Sequence, residues 1–309
     1  MYKRQPDECV ALARAGVAVV AGDPGFRGVP AALRRAGVRL DVHVHVDTGL
    51  GREGFTAAQL AAGEADFLQG AADVAPVRGV LSHFANTEDV TEQDYARVQL
   101  AAFESAAAEL LRREIAPPGA VRHFAASAAA LVLPPSRLDV LRAGIALYGL
   151  WPSTETRLSA RVVLGEVPAL EPVLAWRSVA QVVKWLPAGS YVGYGCTYRC
   201  GADTRIAVIP AGYWDGYPRL ASGKAHVLVA GRRCPVLGRV MMNHVVIDVT
   251  RAGTGAQRGA AAPDGPVTAT LLGRDGAEQL TADQLALWAQ TINYEIVTRL
   301  GEHLRRAVV

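Results

Sequence analysis

Lysine is nearly absent from this 309-residue chain: only Lys3, Lys184 and Lys224 occur, so arginine carries the basic charge. Any chemistry that needs an amine therefore has three positions to draw on. No apolar run approaches the length of a membrane span and no charged leader precedes an apolar signal core, so the default is a cytoplasmic protein with no membrane partner. The formal net charge of +3 is spread over scattered arginines rather than held in a block, which argues against a nucleic-acid partner. Cys9, Cys196, Cys200 and Cys234 show no paired metal spacing. Cys196 and Cys200 form a lone i, i+4 pair on an expected strand, and neither a metal site nor a disulfide framework follows from such a set. There is no internal repeat.

What is present is half hydrophobic and one-fifth charged, enough for one large or two ordinary domains. In the first half, short β-branched runs trade places with helical stretches. VAVV (17–20) leads to GVPAALRRAG, and DVHVHV (41–46) leads to TAAQLAAGEADFLQGA, which opens with Thr56 and Gln59 in capping-box spacing. VRGVLSHF (77–84) precedes an amphipathic segment from Thr91 to Arg113. VRHF (121–124) precedes ASAAALVL, and LDVL follows Pro134-Pro135 as a further strand. This rhythm means parallel pairing and an α/β architecture. Past about Pro172 it changes: RSVAQVVKWL, TRIAVIPAG, AHVLVAG, RRCPVLGRVMMNHVVIDVT and VTATLLG read as strands with Gly/Pro punctuation. One closing helix starts at Thr281, with capping-box spacing to Gln284. RAGTGAQRGAAAPDGP reads as a flexible loop. The domains divide as 1–171, read as a TIM-type barrel, and 172–309, a mostly β domain.

In a parallel barrel, reactive groups gather where strands end. Asp47 to Arg52, His83, Ser127 and Arg142 to Ile145 all fall there, and four such features on one face point to a site. Each has a plainer reading: a structural histidine, an Arg52–Glu53 surface pair of small worth, or Ser127 as a helix N-cap. A hydroxyl at a helix N-terminus also suits an anion, and Gly144, with no Cβ, lets a backbone N–H approach it closely. In SYVGYGCTYR, Tyr194 stands between two glycines. Such glycines mark a turn or a close approach, and their chemistry favours the turn.

Taken together, DVHVHVDTGLGREGF, GVLSHFANTED, HFAASAAAL, VLRAGIALYGLWPS, YVGYGCTYR, IPAGYWDGYPR, LGRVMMNHVVIDVT and TINYEIV resemble the alanine racemase family, the fold-type III pyridoxal phosphate enzymes, in the family's order and over nearly the whole chain. The resemblance implies an isomerase that interconverts L- and D-alanine with pyridoxal 5'-phosphate, supplies D-alanine for peptidoglycan, and works as a homodimer with a shared active site. Racemisation takes a proton from one face of Cα and returns it on the other, which calls for two acid/base groups. By resemblance one is Tyr194. The other is the family's cofactor-carrying lysine. His83 matches the histidine that orients the tyrosine. Arg142 matches the arginine facing the pyridine nitrogen, where a guanidinium donates a hydrogen bond without giving up its proton. Arg52, the backbone of Met242, and Tyr213 match substrate contacts. Ser127, Gly144, Ile145 and Tyr294 match the phosphate cradle.

Departures accompany the match. His45 replaces a lysine that is often carbamylated to brace the arginine, and a neutral imidazole cannot supply that negative charge. Asn243 stands where Asp is common, and Ala126 replaces the asparagine of H-x-A-N-S. No segment resembles the family's V-K-A-N-A-Y-G-H strand, which carries its lysine. Set against the roughly 250 residues of a full barrel, the length before residue 172 implies a barrel incomplete at its N-terminus, with MYKRQ (1–5) a foreign leader. Two other readings stand beside alanine racemisation: a serine or broad-specificity racemase of the same family, and a non-catalytic fragment that binds cofactor or self-associates.

Overall fold

The computed structural model describes residues 5–88, 91–252 and 266–309. It divides into two compact units, Met1–Leu147 with Trp151–Leu170, and Tyr148–Leu150 with Glu171–Val309.

In the first unit, α1 (Pro6–Arg14) starts at Gln5, whose side chain and that of Glu8 form a reciprocal cap. Strands β1 (Val19–Ala21), β2 (Val42–His45), β3 (Val77–Leu81) and β4 (Val121–His123) pair in parallel in that order. Between them run α2 (Val29–Ala36), α3 (Ala57–Ala61) and α4 (Asp94–Arg112). The Thr56–Gln59 capping box forms at α3. That helix is shorter than its apolar pattern suggests: Gly63 takes a φ of 77° and the chain continues as a 3-10 turn over Asp66–Ala71. After β4 come α5 (Ser127–Val132) and α6 (Thr154–Leu164), the latter capped by Ser153.

Successive residues of a strand face opposite sides. Val42 and Val44 of β2 enter a core with Val80, Phe84, Phe103, Leu110 and Phe124, in which the Phe84 and Phe124 rings stack. His43 and His45 therefore face the other side, together with Gly79 and Leu81 of β3 and His123 of β4, their register partners. The sheet thus presents a row of histidines opposite its hydrophobic face. LDVL, expected as a strand, is not one. Leu138 turns the chain at a φ of 45° and Val140 and Leu141 stay exposed, so pairing is confined to an isolated bridge between Ala126 and Arg142, the residue after the run.

The second unit is mostly β. RSVAQVVKWL, expected as one strand, breaks at Ala180-Gln181 into β5 (Trp176–Val179) and β6 (Val182–Leu186). β7 (Tyr191–Val192) and β8 (Tyr198–Arg199) form a short hairpin. β9 (Thr204–Ile209), β10 (His226–Val229), β11 (Arg232–Pro235), β12 (Val245–Asp248), β13 (Thr268–Asp275) and β14 (Glu278–Leu280) follow. They pair in the orders β12-β9-β6 and β11-β10-β13-β14, with β5 on β13. The Thr281–Gln284 capping box starts α7 (Ala282–Ala289), and a further helix, α8 (Asn293–Thr298), comes after it. Cys196 lies in a 3-10 turn and Cys200 just beyond β8, so the pair shares no strand. Most of RAGTGAQRGAAAPDGP, and MYKRQ apart from Gln5, lie outside the described residues. Among the described residues no helix is long and apolar enough to cross a membrane, and no group of three or more His, Cys, Asp or Glu is placed to hold a metal ion.

Candidate active site

Arg142 is the hub of the first unit's polar face. Its Nη1 donates to His123 Nδ1 at 2.8 Å and to the His123 carbonyl at 2.9 Å. Its Nη2 reaches the Ser82 carbonyl (2.6 Å), the Phe124 carbonyl (3.1 Å) and His83 Nδ1 (3.2 Å). The two terminal nitrogens carry four hydrogens between them, all of which these acceptors engage, and Nε–H is left as the donor for an acceptor in the site. Burial, and secondarily the Arg52 charge, pull Arg142 below its ordinary pKa, but a guanidinium remains charged. His83 is lowered by burial and by Arg142 and Arg52, with Glu53 partly offsetting them. Gln99, fully buried on α4, holds the His83 segment: its Oε1 accepts from Ala85 N–H and its Nε2 donates to the His83 carbonyl.

Arg52 sits on a tight loop that returns to the end of its own strand. Asp47 Oδ1 accepts from the amides of Gly49, Leu50 and Gly51, while Phe55 N–H donates to the His45 carbonyl and Asp47 N–H to the Phe55 carbonyl. Gly54 closes this loop at a φ of 118°, where a Cβ would stand 2.5 Å from Asp47 N. The half-exposed Arg52 pairs with Glu53. His45, buried beside these charges, is pushed down to about 4, chiefly by burial, with Glu53 opposing and Arg142, Arg52 and His83 reinforcing the shift.

Ser127 does not cap its helix. Ala126 occupies that position, and the Ser127 hydroxyl instead accepts from Gly144 N–H (2.9 Å) and Ala146 N–H (3.3 Å). Its O–H hydrogen is therefore the donor left for an anion. A Cβ at Gly144 would meet nothing within 4 Å, while Ile145 is buried beside it.

In the second unit, Tyr194 lies in the turn of the β7–β8 hairpin, between Gly193 and Gly195, both at a φ of 75°. It is 71% exposed. Tyr194, Tyr213 and Met242 line one cleft of about 520 Å³ with Arg239 and Asn243. Two backbone bonds hold the cleft's floor: Tyr213 N–H donates to the Met241 carbonyl and Trp214 N–H to the Met242 carbonyl, both at 3.0 Å. A Cβ at Gly212 would lie 2.2 Å from the Met242 carbonyl oxygen, so this approach requires glycine. Asp215 steadies the same turn, accepting from Gly212 N–H (2.8 Å) and from His303 Nε2 (2.9 Å). Tyr294 is on α8, in the same unit.

Two family models match the chain, "Alanine racemase, N-terminal domain" over residues 3–152 and "Alanine racemase, C-terminal domain" over residues 173–308. The alanine racemase of Leptospira interrogans (serogroup Icterohaemorrhagiae serovar copenhageni) is 37% identical over 268 residues, 87% of this chain and 66% of that protein. That of Symbiobacterium thermophilum is 38% identical over 283 residues, 89% of this chain and 68% of that protein. The chain belongs to the alanine racemase family. It spans about two thirds of the length of these relatives. The solved alanine racemase of Streptomyces lavendulae, a D-cycloserine producer, superposes with a TM-score of 0.81 at 35% identity, covering 95% of this chain and 72% of that one. The fold is that of the family, a barrel-type α/β domain followed by a mostly β one.

For this alanine racemase family member, motif reading singled out Arg142, His83 and Arg52 in the first unit and Tyr194, Tyr213 and Met242 in the second. Each set is brought together within its own unit. It missed His43, His123, Gly79 and Gln99. The signals were available: alternation in VHVH sets two histidines on one face, and a glycine inside a strand marks a close approach.

Proposed function

We propose that the protein serves pyridoxal phosphate-dependent interconversion of L- and D-alanine, in the cytoplasm, with the D-alanine destined for peptidoglycan. Pyridoxal phosphate is the family's cofactor, and when bound it supplies the electron sink that acidifies the substrate's Cα proton. The Ser127 hydroxyl and the open backbone at Gly144, with Ile145 and Tyr294, would hold its phosphate. Arg142 would offer Nε–H to the ring nitrogen without protonating it. The fit ends at the amine, because residues 5–170 contain no lysine. No step is assigned to a covalent link with this chain.

In this reading Tyr194 Oη takes the single Cα proton from one alanine enantiomer and, in the reverse direction, delivers a proton to that same face. A phenolate near neutral pH needs donors around its oxygen, and His83, held by Arg142, is that donor. Arg52 and the Met242 amide N–H take the substrate carboxylate, and Tyr213 borders the entrance. A homodimer is part of the proposal: Tyr194, Tyr213 and Met242 of one subunit serve Arg142 and His83 of the other. The observation that carries the reading is the Arg142 hub, a guanidinium oriented by two imidazoles and three carbonyls.

The absence of lysine from residues 5–170 supports a second reading, a chain that binds the cofactor or self-associates without racemising. Incubating purified chain with pyridoxal phosphate and L-alanine separates the two. D-alanine that disappears in Tyr194→Phe supports racemisation. Cofactor binding that borohydride cannot fix to the chain, with no D-alanine formed, supports the second. Relative rates on alanine and serine test the substrate.

A further inference from the structure

A glycine stands inside β3 where the chain could have carried a β-branched residue. A Cβ at Gly79 would lie 2.5 Å from His43 Nδ1 and 2.7 Å from His43 Cε1. Gly79 is the register partner of His43 on one side and of Val121 on the other. The bare backbone at Gly79 thus lets the His43 ring lie across β3 and reach β4. There His43 Nδ1 meets His123 Nε2 at 2.7 Å, with the ring planes 62° apart. From His123 the hydrogen bonds continue to Arg142 and on to His83.

The direction of every bond in this chain follows from one end. Arginine has donors only. His123 Nδ1 must therefore accept from Arg142, and the neutral ring carries its hydrogen on Nε2. That hydrogen can only be donated to His43 Nδ1, so neutral His43 is also protonated on Nε2. By the same argument His83 accepts at Nδ1 and keeps Nε2–H as its remaining donor.

We propose that His43 is a positioning residue: by accepting the His123 Nε2–H across Gly79 it locks His123 as the acceptor that holds the Arg142 guanidinium, which in turn presents His83 as an Nε2–H donor. Both rings must be neutral, since a protonated His43 would set N–H against N–H. Their surroundings agree: burial lowers His43 with Asp41 partly opposing, and burial with Arg142, His43 and His45 lowers His123 to about 4. The service to His83 rests on the racemase reading, whereas the tautomers do not.

The test is long-range 1H–15N spectroscopy of the 15N-labelled 309-residue chain at about pH 7.5, without cofactor. His43, His83 and His123 should all appear as Nε2–H tautomers with unprotonated Nδ1. His43→Leu, which removes the acceptor, and Gly79→Ala, which displaces the ring, should convert His123 to a mixture of tautomers or shift its Nε2 signal. His43→Asn, which keeps an acceptor near the position of Nδ1, should restore the native His123 signal. A native His43 or His123 protonated on Nδ1 overturns the proposal whether or not any variant folds, as does a His123 spectrum unchanged in folded His43→Leu. Native tautomers as expected, with no D-alanine formed in a separate incubation with pyridoxal phosphate and L-alanine, would sink the racemase reading while leaving the positioning role intact.

Discussion

Acid should destabilise the first unit well above the pH at which carboxylates titrate. His45 and His123 are 4% and 6% exposed, and each is pushed down to about 4, whereas an unfolded histidine titrates near 6.5. Above pH 6.5 both states are neutral and the groups contribute nothing to the pH dependence. As pH falls below 6.5 the unfolded chain binds protons that the folded chain refuses, so stability declines until about pH 4, where the folded rings also protonate. At about 1.4 kcal/mol per pH unit, the interval from 6.5 to 4 amounts to roughly 3 kcal/mol for each ring. Because His45 also lowers His123, the two effects are coupled and twice that figure is an upper bound. Against a typical total of about 5–15 kcal/mol, the loss is large. Urea unfolding between pH 7.5 and 4 measures it, on the native chain and on His45→Gln and His123→Gln, neither of which can titrate at that position. Each variant should flatten the acid limb by about 3 kcal/mol. Native stability that stays level down to pH 4.5, or variants that keep the full native slope, would refute the reasoning.

Ser127→Ala removes the acceptor shared by the Gly144 and Ala146 amides. It should cost about 1–3 kcal/mol in denaturant unfolding, and cofactor affinity should fall with it. Gly149→Ala combines a φ of 69° with a Cβ that would lie 1.7 Å from the Glu171 carbonyl oxygen. It should cost more than about 4 kcal/mol, seen as a collapse of the thermal transition or loss of soluble protein. Tyr194→Phe alters a side chain that is 71% exposed, so its unfolding free energy should stay within about 0.5 kcal/mol of native. Any loss of racemisation in that variant then reports on chemistry and not on folding.

The alternation of β-branched runs with helical stretches was legible because each element is decided by its own few residues. Capping boxes at Thr56 and Thr281 are equally local, and both form. LDVL shows the limit. Its composition suits a strand, yet a strand needs a neighbour along its length, and after the backbone turn at Leu138 the chain makes only an isolated bridge, at Arg142 just beyond the run. Ser127 shows the same limit in side-chain chemistry. A serine at the start of a helix has the right reach to cap it, but its hydroxyl can equally accept from a loop 17 residues further on. Sequence proximity cannot decide between donors that only folding brings close.

The polar face of the sheet extends this point to the site itself. Motif reading finds Arg142 and His83 because each sits in a recognisable run, and it passes over His43, whose neighbours look like an ordinary strand. Yet the direction of the hydrogen bonds runs from Arg142 through His123 to His43, and it depends on a glycine in the strand between them. Three strands must pair in a particular register before those residues meet, and a one-residue slip would send His43 and His123 to opposite faces. The reactive groups are therefore written in short motifs. What orients them is written in register, through residues whose importance appears only once the strands are side by side.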